Sequence, residues 1–148
     1  MSPPNATYSV ERRAELLAAL DADTVVALAE EVLRAGDDLR VITGPELGMV
    51  MLQVREPVAE ERFYLTEVLV SRAEVELRGA RGWAMRAGDD GLAALAAAVL
   101  DAAADVDADH RVAVDALCAA TERRLADGRD AELAELAPTT VQFADLDR

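Results

Sequence analysis

The sequence predicts a single α+β domain over residues 1–148. Its small antiparallel sheet is packed by N-terminal helices and an Ala-rich C-terminal helix pair. Three observations predict it. Apolar residues recur at helical spacing near both ends, and the middle third alternates with a period of two. The composition supplies the third: of 148 residues, 52% are hydrophobic but only 3% aromatic, so Ala, Leu and Val must build the core. That content excludes a disordered chain. No run of about 18 apolar residues is present to span a bilayer; the longest, Leu92–Leu100, ends at Asp101. The opening Met1-Ser2-Pro3-Pro4-Asn5 carries neither a basic nor an apolar region, so a cytoplasmic location is expected.

Two short helices open the reading. Ser9 is a candidate cap for a segment whose Val10, Ala14 and Leu17 recur at helical spacing. Asp23 is a candidate cap for a second, with Val25, Leu28, Ala29 and Val32 as its stripe, and Gly36 falls at the left-handed C-cap position. The period then changes. Leu39–Thr43 reads as a short strand, Gly44–Gly48 as a turn, and Met49–Arg55 as a strand with Val50, Leu52 and Val54 on one face.

Glu56–Arg62 is a charged connection containing Pro57. Phe63–Arg78 is again a strand, with Ala73, Val75 and Leu77 facing one way and Arg72, Glu74, Glu76 and Arg78 the other. Gly79–Gly82 reads as a hairpin loop into Trp83–Arg86, so consecutive strands pair antiparallel. Ala87–Gly91 closes the sheet and caps a helix over Leu92–Ala104, which has Ala at eight of thirteen positions. Leu95 and Val99, its larger residues at i and i+4, are expected to face the sheet. The next helix aligns Val114, Leu117, Cys118, Thr121 and Leu125 on one face, and Thr139–Leu146 is a candidate final strand.

Charge restricts the partners. Fifteen basic residues against 29 acidic ones give a net −14, and all the basic residues are Arg. Such a surface repels nucleic acid, whose binding needs phosphates neutralised by Lys and Arg, and repels anionic lipid equally. Neither is expected as a partner. The lone Cys118 permits no intramolecular disulfide.

The chemistry-bearing motifs are sparse. The glycine pairs extend to no nucleotide-binding fingerprint. Asp105, Asp107 and Asp109 match the first, third and fifth positions of a calcium loop, but His110 occupies the glycine position and Ala116 the closing Glu position. The favoured reading is an acidic helix N-terminus. His110 reads as a surface residue at a helix start, and Cys118 as a small buried hydrophobe. Asp89 and Asp90 read as helix-capping residues, or alternatively as the metal ligands of a small phosphoryl-transfer enzyme. Phe63, Tyr64 and Trp83 are core residues or anchors for a partner. No catalytic, cofactor-binding or metal-ligating residue is assigned.

The order of segments from Gly44 to Ala104 resembles the G subunit family of bacterial carbon–phosphorus lyase, PhnG. The family's Pro-Glu-x-Gly-Leu-Val-Met is matched by Pro45-Glu46-Leu47-Gly48-Met49-Val50-Met51. Its Phe-Asn-Leu-Gly-Glu and Val-Thr-Arg resemble Phe63-Tyr64-Leu65-Thr66-Glu67 and Val70-Ser71-Arg72. Its Gly-Arg-Asp turn and Leu-x-Asp-Ala are echoed by Gly88-Asp89-Asp90 and Leu100-Asp101-Ala102, and its closing Thr-x-Val-x-Phe by Thr139-Thr140-Val141-Gln142-Phe143. Departures are Asp89 in place of the family's Arg, Ala93 near its helix His, and an approach to Phe63 without glycine.

The resemblance implies a supporting, non-catalytic subunit of a core complex containing H, I and J subunits. In that complex an alkylphosphonate displaces adenine from MgATP to give a ribose 1-alkylphosphonate 5-triphosphate. This chain itself is expected to bind no cofactor, the MgATP being used by the complex. Phe63, Glu67, Arg72 and Asp90 are the interface candidates. Arg72 has two readings: a cross-strand pair with Glu67 or Glu74, or an interface contact, favoured because a strand presents its guanidinium rigidly. A stand-alone small-molecule binding module remains a further alternative.

Overall fold

The computed structural model describes residues 8–34, 36 and 38–139. Four helices and a three-stranded antiparallel sheet follow the expected order. Helix α1 spans Val10–Ala18 and α2 spans Ala22–Leu33. Strands β1 (Leu39–Arg55), β2 (Arg62–Leu77) and β3 (Ala80–Ala87) then form one sheet in the order β1-β2-β3. Helix α3 (Gly91–Ala103), helix α4 (Ala108–Leu136) and a short 3-10 turn (Ala137–Thr139) complete the described chain.

Local chemistry sets the boundaries. The Ser9 hydroxyl accepts from the Arg12 amide and opens α1 as expected. The cap of α2 is Asp21, not Asp23: its carboxylate accepts from the Thr24 amide, while Asp23 lies inside the first turn. Gly36 takes the left-handed conformation beyond α2, at φ 77°. Asp90 and Asp107 cap α3 and α4 by accepting from the Ala93 and His110 amides.

The sheet corrects the sequence reading twice. Gly44–Gly48 is no turn; β1 runs through it, absorbing the irregularity as register shifts between Val41 and Thr43 and between Thr43 and Glu46. The second hairpin loop is Arg78-Gly79, with φ values of 47° and 84° that suit a tight two-residue turn, and Gly82 sits within β3. Of the candidate final strand Thr139–Leu146, Thr139 belongs to the 3-10 turn and residues 140–146 lie outside the described residues.

The core forms between α3 and one face of the sheet. Ala73, Val75 and Leu77 of β2 and Ala84 of β3 are buried against Ala97, Ala98, Val99 and Ala102 of α3, with Leu16, Leu17 and Val25 closing one side and Val114 and Cys118 another. The small residues of α3 allow a very close approach. A Cβ placed on Gly82 would lie 2.0 Å from the Ala98 carbonyl oxygen and 2.4 Å from the Ala102 amide nitrogen. Val99 belongs to this core and Leu95 packs against it, and both also line a hollow shared with Val26, Leu33 and Leu39, at the seam between α2 and the start of β1.

A buried ion-pair cluster locks α1 to α3. Arg13 and Asp101 are 2% and 3% exposed. The Arg13 Nε donates to Asp101 Oδ1 at 2.6 Å and its fork reaches Asp105 at 2.8 Å and 3.3 Å. Asp101 Oδ2 also accepts from the Trp83 amide at 3.0 Å, which ties the cluster to β3. The C-terminal carbonyls of α1 are satisfied from elsewhere in the chain: Arg86 donates to the Leu17 and Leu20 oxygens, and Arg124 to that of Ala19.

Candidate functional site

The helices cover only the inner half of the sheet. Strand β3 stops pairing at Val70↔Ala87, while β1 and β2 continue together to Arg55↔Arg62. Residues Met49–Arg55 and Arg62–Leu69 therefore project as a two-stranded ribbon, continued on β1 by Leu47 and Gly48. It is closed by the Glu56–Glu61 loop, where the Glu56 carboxylate accepts from the Val58 and Ala59 amides.

Cross-strand partners share a face, so the register assigns the ribbon's side chains. The face continuous with Ala73 and Val75 carries Leu47, Met49 (opposite Leu69), Met51 (opposite Glu67) and Tyr64. Leu47 is 64% exposed, Met51 58% and Tyr64 61%. The opposite face carries Val50 with Val68, Leu52 with Thr66, and Val54 with Phe63, and holds no charge. The register shift between Leu52 and Gln53 leaves Leu65 as the extra residue on β2.

Closer to the helices, that second face turns polar. Glu46 is directly opposite Arg72 and accepts from its Nε at 3.0 Å and its terminal nitrogen at 2.9 Å. Arg72 is thus paired across strands as one reading held, but with Glu46; Glu74 is taken by Arg81. Both partners of the Arg72–Glu46 pair are about half exposed. A shallow hollow of about 290 Å³ lies at this junction, lined by Glu46, Gly48, Val50, Val70, Arg72 and Met85. Trp83 shares the face and is 42% exposed. Phe63, Tyr64 and Trp83 are therefore surface residues, not core.

Three of the four interface candidates are spread along β2 rather than gathered: Phe63 near the tip and Arg72 at the junction with β3 on the uncovered face, Glu67 between them on the other. The fourth, Asp90, is exposed at the start of α3, where its carboxylate serves as the cap. Asp89 is exposed beside it. The carboxylates of the calcium-like segment are engaged within the protein. Asp105 binds Arg13 and Arg111, and Asp107 caps α4 and contacts the His110 Nδ1 at 2.8 Å. Burial pushes the Asp105 carboxyl up, but Arg13 and Arg111 together outweigh it and hold the group below the usual carboxylate range. Among the described residues, no three or more His, Cys, Asp or Glu converge, and no helix is long and apolar enough to cross a membrane.

A second concavity, of about 280 Å³, separates α2 from α4. Leu28, Val32, Val114 and Leu117 form its walls and Leu100 its floor, with Glu31 and His110 at its margin. Sequence reasoning placed Leu28, Val32, Val114 and Leu117 on apolar helix faces but could not show that the two helices stand apart.

Fold and surface together define a small α+β protein whose helices pack on one side of a sheet and whose β-ribbon is left bare. The chain belongs to the family described as phosphonate metabolism protein PhnG, which it matches over residues 10–148. That membership places it in phosphonate metabolism. No curated protein matches it.

Proposed function

We propose that this chain is a supporting, non-catalytic subunit of a carbon–phosphorus lyase core complex, acting with H, I and J subunits in the cytoplasm. In this reading the complex, not this chain, holds the MgATP from which an alkylphosphonate displaces adenine. The observation that carries the proposal is the bare ribbon. An isolated two-stranded hairpin is marginal in water, and contiguous exposed apolar surface on a soluble chain marks an interaction site. Of Asp89 and Asp90, the pair a metal-dependent phosphoryl transfer would use, Asp90 already serves as the cap of α3, and Asp105 and Asp107 of the calcium-like segment hold Arg13 or cap α4. A chain of net charge −14 is also a poor sole host for a triphosphate and a phosphonate.

The test is reconstitution. Adenine release from MgATP and methylphosphonate is measured with the full set of subunits, with this chain omitted, and with this chain alone. Release is expected only from the full set. Adenine release by the isolated chain overturns the proposal, as does full activity without it.

A further inference from the structure

The ribbon's dimensions and charge point to how it is held. Leu47–Arg55 pairs with Arg62–Ser71, and two strands of this length measure about 10 Å by about 30 Å. One face then offers about 300 Å², whereas a stable interface takes about 800 Å² from each partner. Both faces together with one strand edge reach about 900 Å², by the same strand spacing. Apolar side chains stand on both faces, so neither face is the protected one. Among the described residues both long edges are open as well: none pairs with β1 on its outer side, and β3 ends before the Arg62–Leu69 stretch of β2.

Charge distinguishes between occupants. Glu46–Val70 contains five Glu against two Arg, and Glu56, Glu60 and Glu61 crowd the tip. Pairing with a second copy would set these acidic tips, each on a chain of net charge −14, against one another.

We propose that the β1–β2 ribbon inserts into an apolar cleft of a different protein chain. That chain covers both faces, adds to one strand edge, and presents cationic side chains to the Glu56–Glu61 tip. The inference rests on the reading of this protein as a subunit of a heteromeric complex. Strand addition at an open edge with pockets for alternate side chains is an established mode of recognition, and cationic residues at the cleft mouth would speed and orient docking.

The experiment uses the intact chain. Hydrogen exchange is followed in the free protein and in the complex co-purified with the other phosphonate-complex subunits. Two variants then test the faces separately: Met49→Glu with Met51→Glu, and Val50→Glu with Leu52→Glu. Amides of Leu47–Arg55 and Arg62–Leu69 are expected to slow on assembly, and each variant to lower recovered partner by about tenfold or more, as at an interface centre. If the unaltered chain captures no other subunit, it is the subunit reading that fails. If it does and the ribbon amides exchange as in the free protein, the ribbon proposal is wrong. Full recovery by either well-folded variant overturns insertion. So does light scattering that shows a dimer of the unaltered chain dissociated by the same variants. Should a variant melt early, exchange in the unaltered complex decides the question.

Discussion

Arg13 shows how much one residue can carry. Its guanidinium is held by Asp101 of α3 and by Asp105 in the connection to α4, and it is the main neutralising partner of the buried Asp101. Breaking a buried pair by removing one partner costs about 3–5 kcal/mol, because the remaining charge stays desolvated. For a chain of this length each kcal/mol moves the melting temperature by about 2–4 °C. Arg13→Ala is therefore expected to melt on the order of 10 °C lower in a circular-dichroism scan. A shift of a degree or two would show that Asp101 is adequately held by the Trp83 amide alone.

Cys118 gives a second prediction at this scale. Burial, reinforced by the nearby Asp115, pushes its thiol from an ordinary 9.0 up to about 11. Between those values the unfolded chain releases the proton and the folded chain keeps it, so stability falls as pH rises through that window. Below it the two states bind the proton equally and the group has no effect. Chemical denaturation at pH 8 and pH 10.5 is expected to show a loss of up to about 2 kcal/mol. In Cys118→Ala most of that loss should vanish, against a lower baseline from the lost packing.

At the scale of elements, the spacing between α3 and the sheet is set by what Gly82 lacks. The atoms a side chain would meet are the Ala98 oxygen and Ala102 amide, which are helix backbone and cannot rotate aside. Gly82→Ala therefore has to push α3 off β3, an overpacking that costs about 1–3 kcal/mol or more. Gly44→Ala is the control. A Cβ there meets nothing within 4 Å and the backbone is not left-handed, so its midpoint in urea should stay put or rise slightly. Equal midpoints for the two variants would mean that the helix and sheet are less tightly apposed than this. The Ala-rich composition of α3 announced a close approach in advance. Its orientation is not legible, because seven Ala in thirteen residues leave a weak apolar direction, and Val99 faces α2 as well as the core.

The whole molecule divides into a packed half and a bare half. Burial is confined to α1, α2, α3, the first part of α4 and the inner strands. The outer ribbon and α4 beyond Leu125 have no buried side chain among the described residues. A chain of 148 residues has enough apolar content to cover itself, yet Leu47, Met49, Met51, Phe63, Tyr64 and Leu65 stand outside. The net charge of −14 gives such a surface protection from its own copies, since the same sign is presented in every encounter. Assembly with chains of other composition escapes that penalty, and the two complex-level experiments above test this directly.

The sequence by itself determined the class of fold, the order of elements, the caps at Ser9 and Asp90, the inward stripe Ala73-Val75-Leu77 and the family. These depend on periods of 2 and 3.6 residues and on side chains that act within a few positions of themselves. Other features were decided only in the tertiary structure. Arg13 meets Asp101 across 88 residues, Arg72 meets Glu46 instead of Glu67 or Glu74, and Gly82 belongs to a strand pressed on a helix. The alternation over Met49–Arg55 reads as a strand with Val50, Leu52 and Val54 on one face, but among the described residues both of its faces are uncovered. Periodicity records which way each side chain points; whether anything lies opposite is set by where β3 and α3 end, and that depends on contacts between distant parts of the chain.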